Sequence, residues 1–122
     1  MDFNIVKCQI IYEYLSIYGS DRKDSNWSLK DVINIFRYFY RKYEEVIGED
    51  HPFLTSESIN KIILRLPYLE YDEPLEDIEL LPEHYQALID SYFEQDFDYG
   101  NYSIAHFMSG KIRALRFFET MY

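Results

Sequence analysis

Three groups of side chains in this sequence have types and spacings that chemistry could use. In "DFDYGN", Asp96 and Asp98 stand two residues apart, the interval at which a loop offers carboxylate oxygens to a hard cation. The EF-hand pattern then needs an oxygen ligand, a glycine and a glutamate at its fifth, sixth and twelfth positions, and here these hold Gly100, Asn101 and Phe107. A turn with Gly100 in the left-handed conformation is the expectation instead. The three histidines, His51, His84 and His106, form no pair at metal-ligand spacing. His84 and His106 are free to meet in space, yet surface or boundary positions are expected for all three.

His106, Ser109, Arg113 and Arg116 follow one another at steps of three, four and three. On one continuous helix they would share a side, where a phosphate or acid–base site can be imagined. The plainer expectation is that Arg113 and Arg116 pair with acidic residues or lay their stems over apolar surface. No Gly-rich phosphate loop, nucleophile elbow or Cys–His arrangement is present. The reading is therefore of a protein that binds rather than catalyses, with no cofactor and no metal.

The strongest signal is the distribution of charge. The stretch "LEYDEPLEDIELLPEHY" carries seven carboxylates and no lysine or arginine. The acid-only region extends over 66–110, with Glu70, Asp72, Glu73, Glu76, Asp77, Glu79, Glu83, Asp90, Glu94, Asp96 and Asp98 and no base. The other 77 residues hold eleven acids against all twelve bases, so nearly the whole net charge of −10 sits in that one region. Like charges so concentrated repel, and must be solvated, neutralised internally or used. Solvation keeps a Tyr-rich surface wet. Internal pairing would draw on Lys111, Arg113 and Arg116, three bases for eleven acids. The third reading is a surface for a basic partner. Glu83, Asp90 and Glu94 fall at i, i+7 and i+11 of an expected helix, with rises of roughly 10 and 6 Å, comparable to spacings between backbone phosphates.

In size and charge the chain looks similar to small acidic helical proteins that block nucleic-acid enzymes, including phage inhibitors of restriction and CRISPR nucleases. The resemblance is one of composition, without a family motif, and what it implies is occupation of a basic nucleic-acid-binding groove.

These side chains must be positioned by helices. Phe3, Ile5, Val6, Ile10, Ile11, Tyr14, Leu15 and Tyr18 recur at helical spacing before Gly19, predicting a helix over 3–18. Cys8 lies within it and is expected to be a small buried apolar residue. After the polar turn "SDRKDSN", Ser28 and Asp31 form a capping box, with Trp27 placed to staple onto Val32. The helix they open runs over 29–47 to Gly48. In its "FRYFYRKY" segment the aromatics share one face while Arg37 and Arg41 share another, which is ordinary amphipathicity. Thr55 or Ser56 caps a third helix ending near Pro67, and Pro82 suits the first turn of a fourth, "PEHYQALIDSYFEQ". Residues 103–120 predict a fifth, with Ile104, Phe107, Met108, Ile112, Leu115 and Phe118 on its apolar face. The fold class is thus all-α: one domain over 1–122, a compact bundle of four to five helices with an acidic connector before helix four.

Composition bounds the partners. At 122 residues, 48% hydrophobic and 19% aromatic, the chain can bury a core. One cysteine excludes an intramolecular disulfide. No segment approaches the roughly 20 apolar residues of a membrane span, and the amino terminus lacks a basic leader, so a cytoplasmic protein is expected. The net charge argues against direct contact with nucleic acid or an acidic membrane surface. A basic protein surface remains as the expected partner, and the aromatic excess leaves a homodimer or helical oligomer as the alternative.

Overall fold

The computed structural model describes residues 3–20, 27–69, 78–96 and 102–121. Among the described residues six α-helices carry the architecture: α1 (Phe3–Tyr18), α2 (Leu29–Ile47), α3 (Ser56–Arg65), α4 (Tyr85–Phe93), α5 (Ile104–Phe107) and α6 (Gly110–Met121). Between α3 and α4 lie two short antiparallel strands, β1 (Tyr68–Leu69) and β2 (Ile78–Glu79), and a 3-10 turn at Pro82–His84. The fold is all-α with one small β pair. None of the described helices is long and apolar enough to cross a membrane.

The boundaries follow local chemistry. Ser28 accepts the amide of Asp31 at 3.2 Å, and the Asp31 carboxylate returns a 3.0 Å bond to the Ser28 amide, so the predicted capping box opens α2. At the other end Gly48 adopts φ 81°, a conformation that L side chains resist, and its amide closes on the Glu44 carbonyl. Thr55 caps α3 by accepting the Ser58 amide at 3.1 Å. Pro82 opens the 3-10 turn that feeds α4, where its missing donor costs nothing.

Buried apolar residues from all six helices join one hydrophobic cluster. α1 packs on α3 and α2, while α4 packs on α2 and α6. Phe39 of α2 lies at the centre, with ring centroids 5.0 Å from Phe93, 5.5 Å from Phe107 and 5.8 Å from Tyr92. Pairs of this kind contribute about 0.5–1.5 kcal/mol each beyond the area they bury.

Three features depart from the pattern-based reading. The expected last helix is two: α5 ends at Phe107 with Met108 as its C-cap, and α6 starts afresh at Gly110. The Ser109 hydroxyl donates to the His106 carbonyl at 2.7 Å, which helps close the first helix. The break resets the phase, so α6 buries Arg113, Ala114, Arg116 and Phe117, while Leu115 of the expected apolar face is exposed. The second departure is the β pair, with Tyr68 opposite Glu79 and Leu69 opposite Ile78. A further bond from the Leu80 amide to the Pro67 carbonyl, 2.7 Å, extends it. Third, Cys8 is exposed rather than buried, because it lies on the side of α1 away from the core.

Candidate functional site: the acidic face and its basic neighbours

Glu79, on β2, and Glu83, in the 3-10 turn, are exposed. So are Glu94, the residue that ends α4, and Asp96 just beyond it. None of these four makes an ion pair or side-chain hydrogen bond among the described residues. Asp90 differs. The Tyr38 hydroxyl of α2 donates to its Oδ1 at 2.5 Å, and Lys42 Nζ lies 3.6 Å away. Burial together with that carboxylate pushes the Tyr38 phenol up to about 12. The middle carboxylate of the expected Glu83, Asp90 and Glu94 stripe therefore serves the contact between α2 and α4 as well as the surface. Glu70, Asp72, Glu73, Glu76, Asp77 and Asp98 lie outside the described residues, as does Gly100 of the "DFDYGN" turn.

The two arginines expected to help neutralise this face are turned elsewhere. Arg113 is 0% exposed. Its Nη1 donates to the Arg65 carbonyl at 2.8 Å and the Tyr85 hydroxyl at 2.9 Å, and its Nη2 to the Tyr68 carbonyl at 2.8 Å. The guanidinium thus sits on the carbonyl end of α3, where a cation is favoured by the helix dipole, and on the first residue of β1. Tyr85 completes the arrangement by donating to the Leu66 carbonyl at 2.6 Å. Burial pushes its phenol up to about 12 even though Arg113 pulls the other way. Arg116 donates to Ser91 Oγ at 3.2 Å and to Glu119 of its own helix at 2.8 Å. Lys111 is exposed. Between described residues, the ion pair that reaches the acidic region is that of Lys42 with Asp90.

The histidines do not converge. His51, expected near the surface, is 3% exposed and is a correction to the reading by residue type. Its Nδ1–H donates to the Pro52 carbonyl at 2.8 Å, and its Nε2 accepts the Ile104 amide at 2.9 Å. The ring stacks on Tyr40 with centroids 4.3 Å apart. The bond from Ile104 requires the neutral ring, and burial lowers the ring's pKa below the usual imidazole value even though the bond to Pro52 pulls the other way. His84 accepts the Leu81 amide at 3.0 Å, and His106 Nδ1 lies 2.7 Å from the Tyr92 hydroxyl. Each thus has its own structural partner. The stripe of His106, Ser109, Arg113 and Arg116 is divided by the break between α5 and α6. Among the described residues no group of three His, Cys, Asp or Glu side chains is placed to hold a metal ion.

Trp27, set just before the capping box of α2, reaches beyond that helix. Its ring is buried edge-on against Tyr85, centroids 5.3 Å apart, and its Nε1–H donates to the Leu80 carbonyl at 2.8 Å. Together Trp27, Tyr85 and Arg113 fasten Pro67–Leu69 and Ile78–Leu80, the two ends from which the acidic connector departs and returns. Sequence reasoning missed this anchor, because a buried arginine bound to backbone carbonyls leaves no charge partner to look for. The local pattern pointed the other way: in "KIRALRFF" Ile112, Leu115 and Phe118 share a face that contains no arginine, and only the fresh start at Gly110 turns Arg113 and Arg116 inward.

No protein-family model matches the chain, and no curated protein or solved structure matches it. Any functional reading therefore stands on the geometry alone.

Proposed function

We propose that this chain is a binding module that presents the carboxylates between Glu70 and Asp98 to a basic surface of another protein, inside the cell and without catalysis. The observation that carries the reading is the disengagement of acids from bases. Arg113 and Arg116 are held by carbonyls, Ser91 and Glu119, while Glu79, Glu83, Glu94 and Asp96 stand exposed without a cationic partner among the described residues. Exposed unpaired charge of one sign gains most from a partner of the opposite sign, and it accelerates the encounter. The sharper form is an inhibitor that fills a groove built for nucleic acid, since carboxylates at phosphate-like intervals offer such a groove the same charge pattern.

Capture from the native host at low salt, with elution by raised salt, tests the module. A fourfold variant carrying Glu79→Gln, Glu83→Gln, Glu94→Gln and Asp96→Asn is expected to lose the captured partner, because screening and neutralisation remove the same attraction. Retention that is indifferent to both salt and the variant would sink the proposal. Competition between the chain and nucleic acid for the captured partner tests the groove.

A further inference from the structure

α1 is apolar on two opposite sides. Val6, Ile10 and Tyr14 face the core, and Glu13 on that side accepts a 3.0 Å hydrogen bond from Asn60 of α3. On the other side Ile5 is 60% exposed, Tyr12 72% and Leu15 43%, with Cys8 exposed among them. Positions 5, 8, 12 and 15 are separated by three, four and three residues, so at 100° per residue they fall within an arc of about 80°. That is the spacing of a helix–helix seam, and among the described residues no element covers it. A helix apolar all round is normally buried all round.

We infer that a second copy of this chain covers this face, with its α1 antiparallel and a two-fold axis crossing the seam at the height of position 10. The first argument is shape. The interval pattern three, four, three reads the same from either end, so an antiparallel helix centred on position 10 sets Ile5 against Leu15 of the second copy. It also sets Cys8 against Tyr12 of the second copy. Each layer then joins aliphatic to aliphatic or a small side chain to a large one, in the isologous manner of a two-fold dimer. A parallel pair in register would instead crowd Tyr12 on Tyr12, leave Cys8 on Cys8 underfilled, and align the helix dipoles unfavourably.

The second argument is charge. Two chains of net charge −10 repel, and their contact must avoid the acidic face. α1 contains a single acid and a single base, Glu13 and Lys7, and the acid is turned toward α3. The residues flanking the seam, Asn4, Gln9, Ile11 and Ser16, are uncharged. A second copy can therefore approach along α1 without setting carboxylate against carboxylate.

A 16-residue helix is about 24 Å long, so a seam of four layers belongs with the smallest specific interfaces, a class whose lower bound is about 1,200 Å² in total. The dimer is accordingly expected at concentrations on the order of 10 µM and above. It does not depend on the acidic-surface reading, and the two fail separately: the fourfold acidic variant is expected to remain a dimer.

Analytical ultracentrifugation of the full chain tests the inference. The wild type is expected to sediment at twice the 14.9 kDa chain mass, and Tyr12→Glu as a monomer whose circular dichroism remains helical. Cys8→Tyr alone opposes two tyrosines and is expected to weaken the dimer at least tenfold, about 1.4 kcal/mol. Adding Tyr12→Cys exchanges the large and small positions and restores it. A wild type that stays monomeric at these concentrations, or a Tyr12→Glu variant that stays dimeric, overturns the interface. Quantitative formation of a Cys8–Cys8 disulfide between chains overturns the antiparallel arrangement, because the two cysteines would be offset by about 6 Å along the axis in addition to the separation of the helices.

Discussion

The guanidinium of Arg113 and the hydroxyl of Tyr85 meet at 2.9 Å in the interior, and neither has a carboxylate to answer it among the described residues. The positive charge is instead met by the carbonyls of Arg65 and Tyr68, so α6 holds the end of α3 and the start of β1 in place. Arg113→Met keeps the apolar stem and leaves those acceptors without donors. A loss of about 2–4 kcal/mol in chemical unfolding is expected. Arg113→Lys should recover only part of it, since an ammonium cannot reproduce the planar fork.

His51 gives the fold a dependence on pH. Its folded-state pKa is lowered, chiefly by burial, relative to an unfolded imidazole near 6.5. Its contribution is therefore present above that value and is lost as pH falls toward the folded-state value. Protonation would turn Nε2 from the acceptor of the Ile104 amide into a donor facing it. Urea unfolding at a series of pH values from 7.5 downward should show stability declining below about 6.5. In His51→Phe that part of the decline should vanish, at a cost near neutrality of roughly 1–3 kcal/mol from the unmet amide.

Asp90→Asn should bring the Tyr38 phenol down from about 12 toward its ordinary value. Burial, the larger cause, remains, so the return is expected to be partial. Carbon NMR of labelled tyrosine through an alkaline titration reads this directly. An unmoved Tyr38 resonance would separate the two side chains in solution.

Ser28→Ala removes the acceptor of the Asp31 amide and the reciprocal geometry of the box. Thermal unfolding should show a loss of about 1 kcal/mol with the helix otherwise intact. Because α2 carries Phe39 at the centre of the aromatic cluster, the loss should appear in the single global transition rather than as local fraying.

The legibility of the chain divides by physical scale. The bounds of α1 and α2 were plain because apolar periodicity, the Ser28 box, Gly19 and Gly48 are local signals that agree with one another. The break between α5 and α6 hides in "MSGK", where a single Gly within an apolar period reads as tolerable, although it rotates the buried face onto Arg113. The β pair consists of two residues a side, too few to show alternation. His51 and Arg113 were misplaced because a residue type predicts average exposure, whereas these two are buried by partners about fifty residues away. For the candidate site, the one-sided charge of 66–110 was evident at once. That Asp90 would be taken up by Tyr38 and Lys42, and that the arginines would turn inward, depended on packing that no local spacing encodes.

Trp27 is the single indole among thirteen tyrosines, and its nitrogen is tied to Leu80, at the root of the acidic connector. Excitation gathered by the surrounding phenols drains toward that one ring, so the protein carries a built-in fluorescent reporter at the joint where its charged segment meets its core. A partner that tugged on the connector would announce itself as a change in emission colour, with no dye attached.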